Sequence, residues 1–192
     1  PGSMGFDIVV AEGQSMGSPL SFGGPTVGWF ATRKELARLV PGRIIGESRD
    51  SHNTKTYVMT LRAREQDIRR EKASSNICTN QTLNAVGSTI HLSWLGPEGL
   101  YEIGYQAIQK ASYMKQLLTD NNFNVLNHTS SLREFLVETK KSAEEVILEM
   151  GSKGFLAGIK YDDNQILVAV TEKRTKAQID NYVESLMEVN NA

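Results

Sequence analysis

Glycine is concentrated in residues 13–28, and small residues in a loop let backbone N–H groups approach an anion such as a phosphate. The spacing of these glycines matches neither the dinucleotide-binding fingerprint nor the triphosphate loop, which also requires a Gly-Lys-Ser/Thr ending. The alternative is a structural loop with unusual backbone angles. The spacing favours this structural loop over phosphate contact.

A second group of small polar residues surrounds the only cysteine, Cys78. Ser75 and Asn76 precede it and Thr79 follows it, so these side chains could cap a helix or line a site. No histidine lies nearby in the sequence to activate the thiol. We therefore predict a buried, unreactive Cys78 rather than a nucleophile.

Five basic residues between positions 62 and 72 could form an anion-binding patch: Arg62, Arg64, Arg69, Arg70 and Lys72. Three acidic residues, Glu65, Asp67 and Glu71, are interleaved with them. Because opposite charges lie so close together, a solvated or interface helix with local ion pairs is favoured over an anion site.

The histidines and the paired acids do not complete a catalytic constellation. His52, His91 and His128 lie in different segments, and no pair has the spacing of metal ligands on a helix. The acids at residues 144–145 and 162–163 coincide with a predicted helix start and a predicted turn, where dipole and turn chemistry account for them. The residues alone therefore predict neither a metal site nor an active site.

Composition limits the classes of protein that remain. The 192 residues carry a formal net charge of −1, with 40% hydrophobic and 22% charged residues. This balance argues against a disordered chain and against nucleic-acid binding through bulk charge. The single cysteine excludes an internal disulfide and favours a reducing, cytoplasmic setting. No apolar run approaches the roughly 18–20 residues of a membrane span.

The first half of the chain is rich in loops. Residues 5–10 and 29–31 are predicted strands, and residues 33–40 a short helix that ends before Pro41. The nearly continuous apolar run after Asp7 is typical of a strand that is buried on both faces. Nothing earlier in this sequence could cover those faces, and we expect the segment to belong to a larger α/β domain.

The second half is more regular. From about Pro97 the pattern predicts the order α-β-β-α-β-β-α, hence a small antiparallel sheet with helices on one face. Ser142 and Glu145 form a capping box at the start of one helix, and Thr175 and Gln178 cap the last. The helix before Pro97 is predicted from an apolar stripe at helical spacing, formed by Leu83, Val86, Ile90 and Trp94.

Several sequence blocks occur in a fixed order: Asp7-Ile-Val-Val-Ala-Glu-Gly-Gln14, Pro19-Leu-Ser-Phe-Gly-Gly-Pro25, Arg64-Glu-Gln66, Ile68-Arg-Arg-Glu-Lys-Ala73 and Ser75-Asn-Ile-Cys-Thr-Asn-Gln81. Together they resemble the first subunit of the two-subunit glycine decarboxylase, the P-protein of the glycine cleavage system. The likeness in motifs extends to about residue 100, and beyond that it rests on the order of the elements. The family subunit is much longer, so the chain resembles its C-terminal part.

The resemblance implies an α/β fold, the C-terminal part of a fold-type-I pyridoxal-phosphate (PLP)-dependent transferase. Residues 5–96 would end the large domain, and residues 97–192 would form the small domain with its antiparallel sheet. Residues 1–4 have neither the basic nor the apolar region of a signal peptide, so they are expected to be a remnant of cloning. The implied reaction is decarboxylation of glycine on PLP, which acts as an electron sink. The aminomethyl group then passes to the lipoyl H-protein.

The resemblance also implies that this subunit lacks the Schiff-base lysine. In the lysine-bearing second subunit, a His-Lys pair follows the strand that matches residues 7–10, and the lysine binds PLP as an imine. Here that pair falls on Gln14 and Ser15, and a serine cannot form an imine. We therefore expect no catalytic residue in this chain, with PLP held by the partner subunit.

In this fold class, loops of a neighbouring subunit commonly complete a site. The loops expected to line or brace the partner's cofactor and substrate entrance contain Ser21, Phe22, Gly23, Gly24, Ser75, Asn76 and Thr79. With equal weight, both loops could build only the contact between subunits. Arg69, Arg70 and Lys72 are expected to pair across that contact rather than touch the substrate.

The expected partners are the lysine-bearing second subunit and the lipoyl H-protein, with a homo-oligomer as a further option, and neither nucleic acid nor a membrane. The chain alone is expected to be inactive. A function from another class stays open at this point. In that alternative the chain is a non-enzymatic module whose C-terminal sheet domain recognises a partner or a small ligand.

Overall fold

The computed structural model describes residues 1–75, 80–126 and 131–191. The chain divides into two compact units, unit 1 (Pro1–Trp94) and unit 2 (Leu95–Ala192). Whether these units correspond to the end of a large domain and to a small domain stays a prediction.

Unit 1 contains two small antiparallel sheets. Strands β1 (Ile8–Glu12) and β2 (Gly28–Thr32) form the first, and β3 (Ile44–Arg49) and β4 (Lys55–Thr60) form the second. A sheet of two strands is marginal by itself, because it has little apolar surface to bury. The residues between β1 and β2 form the glycine-rich loop of the sequence analysis.

Strand β1 is more exposed than its apolar sequence predicts. The sequence indicates burial on both faces, but Ile8 and Val10 are 52% and 69% exposed. Val10 lies opposite Phe30 of β2, which is also exposed. Because residues directly opposite each other share a face of the sheet, one apolar face of this sheet is open in the described chain.

Residues 33–40 do not form the predicted helix and contain a 3₁₀ turn at Lys34–Leu36. The guanidinium of Arg64 donates hydrogen bonds to the carbonyl groups of Arg38 and Val40. A side chain that is distant in sequence therefore satisfies acceptors at the end of this segment, in place of helical N–H groups.

Helix α2 (Thr82–Asp120) begins in unit 1 and ends in unit 2. Gly96, with φ 65° and ψ 179°, interrupts the helical backbone, and the next residue is Pro97, which has no N–H to donate. This break corresponds to the predicted change from one helix to the next at Pro97. Although α2 is long, no helix in the described part of the chain is apolar enough over a bilayer-spanning length to cross a membrane.

Unit 2 has the predicted order α-β-β-α-β-β-α. After α2 the elements are β5 (Val125–Leu126), β6 (Glu134–Glu138), α3 (Ala143–Ser152), β7 (Ile159–Asp162), β8 (Gln165–Ala169) and α4 (Lys176–Asn191). All strand pairs are antiparallel, in the order β5-β6-β8-β7. The predicted small antiparallel sheet is therefore confirmed.

The core of unit 2 lies between this sheet and its helices. Phe135 and Val137 of β6 and Ile166 and Val168 of β8 alternate along their strands, so they share one face of the sheet. All four side chains are at most 3% exposed and belong to one cluster with side chains of α2, α3 and α4. This cluster confirms the prediction that helices cover one face of the sheet.

The predicted capping box begins helix α3. Ser142 Oγ accepts a hydrogen bond from the N–H of Glu145 at 3.3 Å, and the Glu145 carboxylate accepts one from the N–H of Ser142 at 3.3 Å. We expect Ser142→Ala to lower the free energy of unfolding of unit 2 by about 1 kcal/mol, because a first-turn N–H loses its acceptor. Urea denaturation followed by far-UV circular dichroism measures this change.

Ser152→Ala is the matched control, at the other end of α3. The Ser152 hydroxyl donates to the carbonyl of Glu149 in its own last turn and caps no N–H group. We expect a loss of less than about 0.5 kcal/mol. An equal loss in the Ser142 and Ser152 variants would contradict the role assigned to the capping box.

Candidate functional site

Ser15 lies in the turn that directly follows β1. In this turn the N–H of Met16 donates to the carbonyl of Gly13 at 2.9 Å. The N–H of Ser18 donates to the carbonyl of Gln14 at 3.1 Å. Ser15 is exposed. The turn therefore presents a hydroxyl group at the point where the resemblance places a lysine in the partner subunit.

Glu12, at the end of β1, closes the base of the glycine-rich loop. One carboxylate oxygen of Glu12 accepts hydrogen bonds from the N–H groups of Gln14 and Val27, at 2.9 and 3.2 Å. The N–H of Gly13 donates to the carbonyl of Val27 at 2.7 Å. A glycine is needed at position 13, because a Cβ there would lie 2.4 Å from Nε1 of Trp29.

Two polar side chains of α2 hold the rest of this loop. Asn84 Nδ2 donates to the carbonyl groups of Pro25 and Thr26, at 2.6 and 3.3 Å. The buried hydroxyl of Ser88 donates to the carbonyl of Met16 at 2.6 Å. These anchors were not identified from the sequence, where the apolar stripe was the only signal on this helix.

Loop and helix approach closely at two glycines. Gly17 has φ 102°, and a Cβ on it would lie 3.0 Å from the carbonyl oxygen of Gly87 and 2.9 Å from Cβ of His91. His91 is therefore a helix residue that packs against the loop. The contact fixes the glycine-rich loop on the same side of α2 as Asn84 and Ser88.

The tip of the loop has a left-handed backbone. Ser21, Phe22 and Gly23 have φ values of 44°, 53° and 90°, and the left-handed region costs a residue other than glycine roughly 1 kcal/mol. The N–H of Gly24 donates to the carbonyl of Ser21 at 3.0 Å and closes the turn. The ring of Phe22 is fully exposed, so an anchored loop presents an aromatic side chain outward.

The second candidate segment is organised around a buried carboxylate. Glu65 is 6% exposed and forms an isolated parallel bridge with Ser75. The N–H of Ser74 donates to the carbonyl of Arg64 at 3.0 Å. Ser75 is thereby positioned next to Glu65.

Three further residues of this segment, Asn76, Cys78 and Thr79, lie outside the described residues, and so does His128. Their assigned roles stay predictions. Among the residues that the structure describes, no group of three or more His, Cys, Asp or Glu side chains is placed to hold a metal ion.

Three exposed basic residues lie at the end of helix α1 (Gln66–Arg69) and in the 3₁₀ turn after it: Arg69, Arg70 and Lys72. Their side chains form no hydrogen bond or ion pair with any described residue. Arg62, in contrast, is paired with Asp67. The predicted ion-paired helix is thus only four residues long, and its one ion pair joins Asp67 to Arg62 in the preceding 3₁₀ turn. The cations of Arg69, Arg70 and Lys72 face solvent.

The turn after β1 has no side-chain amine that could bind PLP as an imine. This turn contains Ser15, and the first lysine of the chain, Lys34, lies in a separate 3₁₀ turn beyond β2. An imine to PLP at this turn would require an amine that it does not have.

We predict that Asn84→Ala loosens the glycine-rich loop, because the carbonyl groups of Pro25 and Thr26 lose their donor. The expected result is an approximately fivefold faster amide exchange in residues 13–28, equivalent to about 1 kcal/mol of lost protection. Hydrogen–deuterium exchange with mass spectrometry measures it. Thr89→Ala is the control, because the Thr89 hydroxyl donates only to Ala85 of its own helix, and equal effects would contradict the anchoring role.

Comparison with known proteins gives close relatives across the whole chain. This chain is 45% identical over 196 aligned residues to the "Probable glycine dehydrogenase (decarboxylating) subunit 1" of Staphylococcus haemolyticus (strain JCSC1435). It is 48% identical to the protein of the same name from Staphylococcus aureus (strain JH9). Each alignment covers 99% of this chain, whereas the chain spans 43% and 44% of the length of these relatives.

Solved structures give the same result for the fold. One match is the crystal structure of glycine decarboxylase (P-protein) of the glycine cleavage system, in inhibitor-bound form. Its TM-score is 0.89 at 36% sequence identity, and the match covers 98% of this chain and 44% of the other chain. A NifS-like protein matches with a TM-score of 0.50 at 13% identity, over 62% of this chain and 36% of the other, which bears on the fold alone. These matches confirm the fold class that the resemblance implies.

The fold and the loops thus define part of an α/β protein of the PLP-dependent transferase type. The family model for the glycine cleavage system P-protein matches residues 1–186. The chain belongs to this family. The resemblance stated from the sequence blocks is therefore confirmed.

Proposed function

We propose that this chain is part of subunit 1 of a two-subunit glycine dehydrogenase (decarboxylating), and that it supports a site whose Schiff-base lysine is on the second subunit. The observation that carries this proposal is Ser15. In a chain 45–48% identical to relatives named subunit 1, a serine occupies the turn where the lysine-bearing subunit has its lysine. When bound to the partner, PLP supplies the electron sink for decarboxylation of glycine.

The role of this chain's residues is to shape the entrance to the partner's site. The anchored loop would place Ser21, Phe22, Gly23 and Gly24 against the second subunit, and the segment with Ser75, Asn76 and Thr79 would act beside it. The fixed backbone of the first loop supports this role, since an ordered loop loses little entropy on binding. Building only the contact between subunits is the alternative role for both loops.

The exposed cations Arg69, Arg70 and Lys72 would form ion pairs across the same contact. Charges at the rim of an interface mainly direct association and fix the orientation of the partners. In this proposal the aminomethyl group formed on PLP passes to the lipoyl H-protein, which is the second partner. The chain alone is inactive because it has no lysine at position 15.

The first test is size-exclusion chromatography with light scattering on this chain mixed with the lysine-bearing subunit. We expect a stable complex that contains both polypeptides. Alanine at Phe22 should weaken it, whereas alanine at Leu148, an exposed residue of α3 in unit 2, should not. Separate elution of the two polypeptides would overturn the proposal for this chain.

The alternative function, a non-enzymatic ligand-binding module, has one observation in its favour. Unit 2 contains a cavity of about 440 Å³, lined by apolar side chains that include Phe155, Val168 and Tyr182. The Tyr182 hydroxyl donates to the carbonyl of Ala157 at 2.5 Å, and burial raises the pKa of this phenol. A cavity of this size is within the range of small-molecule sites.

Exchange of the glycine carboxyl carbon with bicarbonate separates the two functions. The assay uses the second subunit with and without this chain. Exchange that depends on this chain would contradict the ligand-binding module. Exchange by the second subunit that is unchanged by this chain would contradict the proposed supporting role.

A further inference from the structure

The cavity of unit 2 lies where one edge of the sheet is left open. Strand β7 pairs with β8 only as far back as Ile159, and the residue before it, Gly158, has φ 147°. The hydroxyl of Tyr182 on α4 donates to the carbonyl of Ala157 and holds this part of the chain. The cavity of about 440 Å³ is lined by residues 154–157 on one side and by the end of β8 on the other.

Ala169, the last residue of β8, has an unpaired backbone at this edge. The N–H of Val170 donates to the carbonyl of Arg133 on the β6 side at 3.0 Å. Successive residues of a strand direct their N–H and C=O groups to opposite sides, so those of Ala169 point away from β6. Neither group has a hydrogen-bond partner among the described residues. Since Ala169 lines the cavity, one donor and one acceptor are available to a ligand there.

Two exposed side chains of opposite charge also line the cavity. Glu134 lies directly opposite Ala169 in the register of β6 and β8, and Arg174 shortly precedes α4. Neither side chain forms a hydrogen bond or an ion pair with any other residue that the structure describes. A carboxylate and a guanidinium without protein partners can each pair with a ligand group of the opposite charge.

The interior of the cavity is apolar. Its lining includes Val168, Val170 and Ile179, which are at most 3% exposed, and the rings of Phe155 and Tyr182. These two rings meet edge to face, with their centroids 5.7 Å apart. An apolar interior with a few polar groups that fix the orientation of a ligand is typical of small-molecule sites.

We propose that this cavity is a binding site for a free α-amino acid with an apolar side chain, such as leucine. The ligand carboxylate pairs with Arg174 and accepts a hydrogen bond from the N–H of Ala169. The ligand ammonium group pairs with Glu134 and donates to the carbonyl of Ala169. Both ends of an amino acid are attached to one carbon atom, as are the N–H and C=O groups of Ala169, so the spacing matches. The apolar side chain fills the interior.

This binding is separate from the proposed function. Every residue assigned to the site belongs to unit 2, and neither PLP nor the second subunit takes part in it. Glycine, the substrate of the proposed reaction, has no side chain to fill an apolar interior. The site is therefore compatible with a supporting role in an enzyme, and it does not require the chain to be a non-enzymatic module.

Isothermal titration calorimetry of the full 192-residue chain with L-leucine tests the proposal. We expect one site per chain, and an affinity at least about tenfold higher than for glycine, because the leucine side chain leaves water. Isocaproate lacks the ammonium group of leucine, and isoamylamine lacks its carboxylate. Each should bind at least about tenfold more weakly than leucine, because one charged partner in the site is left unpaired.

Arg174→Gln is the decisive variant, because Arg174 is exposed and its substitution leaves unit 2 folded. We expect the affinity for leucine to fall at least about tenfold, since the ligand carboxylate loses a charged partner. Lys173→Gln is the matched control. It removes the same charge from an adjacent exposed residue that does not line the cavity, and it should bind leucine as the parent chain does.

Several results would overturn the proposal. Leucine that does not bind the parent chain, or binds no better than glycine, would show that the cavity does not select an apolar amino acid. Isocaproate that binds as tightly as leucine would replace the amino acid by a simple carboxylate. Equal affinities of the Arg174 and Lys173 variants would contradict the placement of the ligand carboxylate. None of these measurements contains the second subunit, so the proposed function stands or fails separately.

Discussion

Phe135→Ala should lower the free energy of unfolding of unit 2 by about 3–5 kcal/mol, the usual cost of removing a buried aromatic ring. Phe135 is 1% exposed, lies on β6 opposite Val168, and belongs to the cluster that joins the sheet to its helices. Substitution by alanine removes the apolar contacts of the ring and leaves a cavity that the surrounding helices fill only in part. Urea denaturation followed by far-UV circular dichroism measures the change.

A loss of this size is a large part of the stability of a small domain, so the variant could be unfolded at the start of the titration. Phe135→Leu keeps most of the apolar volume and should lose about 1–2 kcal/mol, which keeps the transition measurable. Leu156→Ala is the matched control, because Leu156 is fully exposed. A loss of 3 kcal/mol in the Leu156 variant, or none in either Phe135 variant, would contradict the described core.

Gly158→Ala is expected to destabilise unit 2 by about 2–4 kcal/mol, because backbone strain and a steric clash act together. Gly158 has φ 147°, which a side chain rarely permits, and a Cβ there would lie 2.5 Å from the carbonyl oxygen of Leu167. This oxygen belongs to the central strand β8. The segment that leads into β7 must therefore move away from its neighbour.

Gly151→Ala is the corresponding control in helix α3. Nothing lies within 4 Å of a Cβ at this position, and its φ is not in the left-handed region. Alanine should stabilise the helix by about 0.5–1 kcal/mol, because the unfolded chain loses conformational freedom. Thermal melts of the Gly158→Ala and Gly151→Ala variants measure both changes in stability. A Gly158→Ala variant as stable as the parent chain would show that β7 does not approach β8 as described.

Local sequence signals predicted unit 2 well. The Ser142–Glu145 capping box begins α3, and Thr175 and Gln178 exchange hydrogen bonds at the start of the last helix. Both signals involve residues three apart, so the information is contained in a short window. The antiparallel sheet follows from the same short-range order of helices and strands.

Unit 1 was predicted less well because its structure depends on residues that are distant in sequence. The guanidinium of Arg64 replaces the N–H donors of a helix at Arg38 and Val40, which are more than twenty residues away. Asn84 and Ser88 likewise anchor a loop that lies about sixty to seventy residues earlier. A polar residue on a predicted helix does not indicate which distant carbonyl group it will bind.

The candidate site was predicted through the resemblance rather than through chemistry. Spacing alone left the glycine-rich loop between phosphate contact and a structural role, and the structure shows a loop held by Glu12, Asn84 and Ser88. Ser15 lies in the turn after β1, and its correspondence to the lysine of the partner stays a prediction. That correspondence required knowledge of the family, because a single exposed serine carries no catalytic signal.

The proposed function depends on a Schiff-base lysine that lies on the second subunit. The most direct measurement is borohydride reduction of the purified complex of this chain with the second subunit and PLP, followed by peptide mass spectrometry. We predict a phosphopyridoxyl group on one lysine of the second subunit and on no lysine of this chain. Stoichiometric labelling of a lysine in this chain, such as Lys34, would contradict the assignment of Ser15 and the supporting role with it.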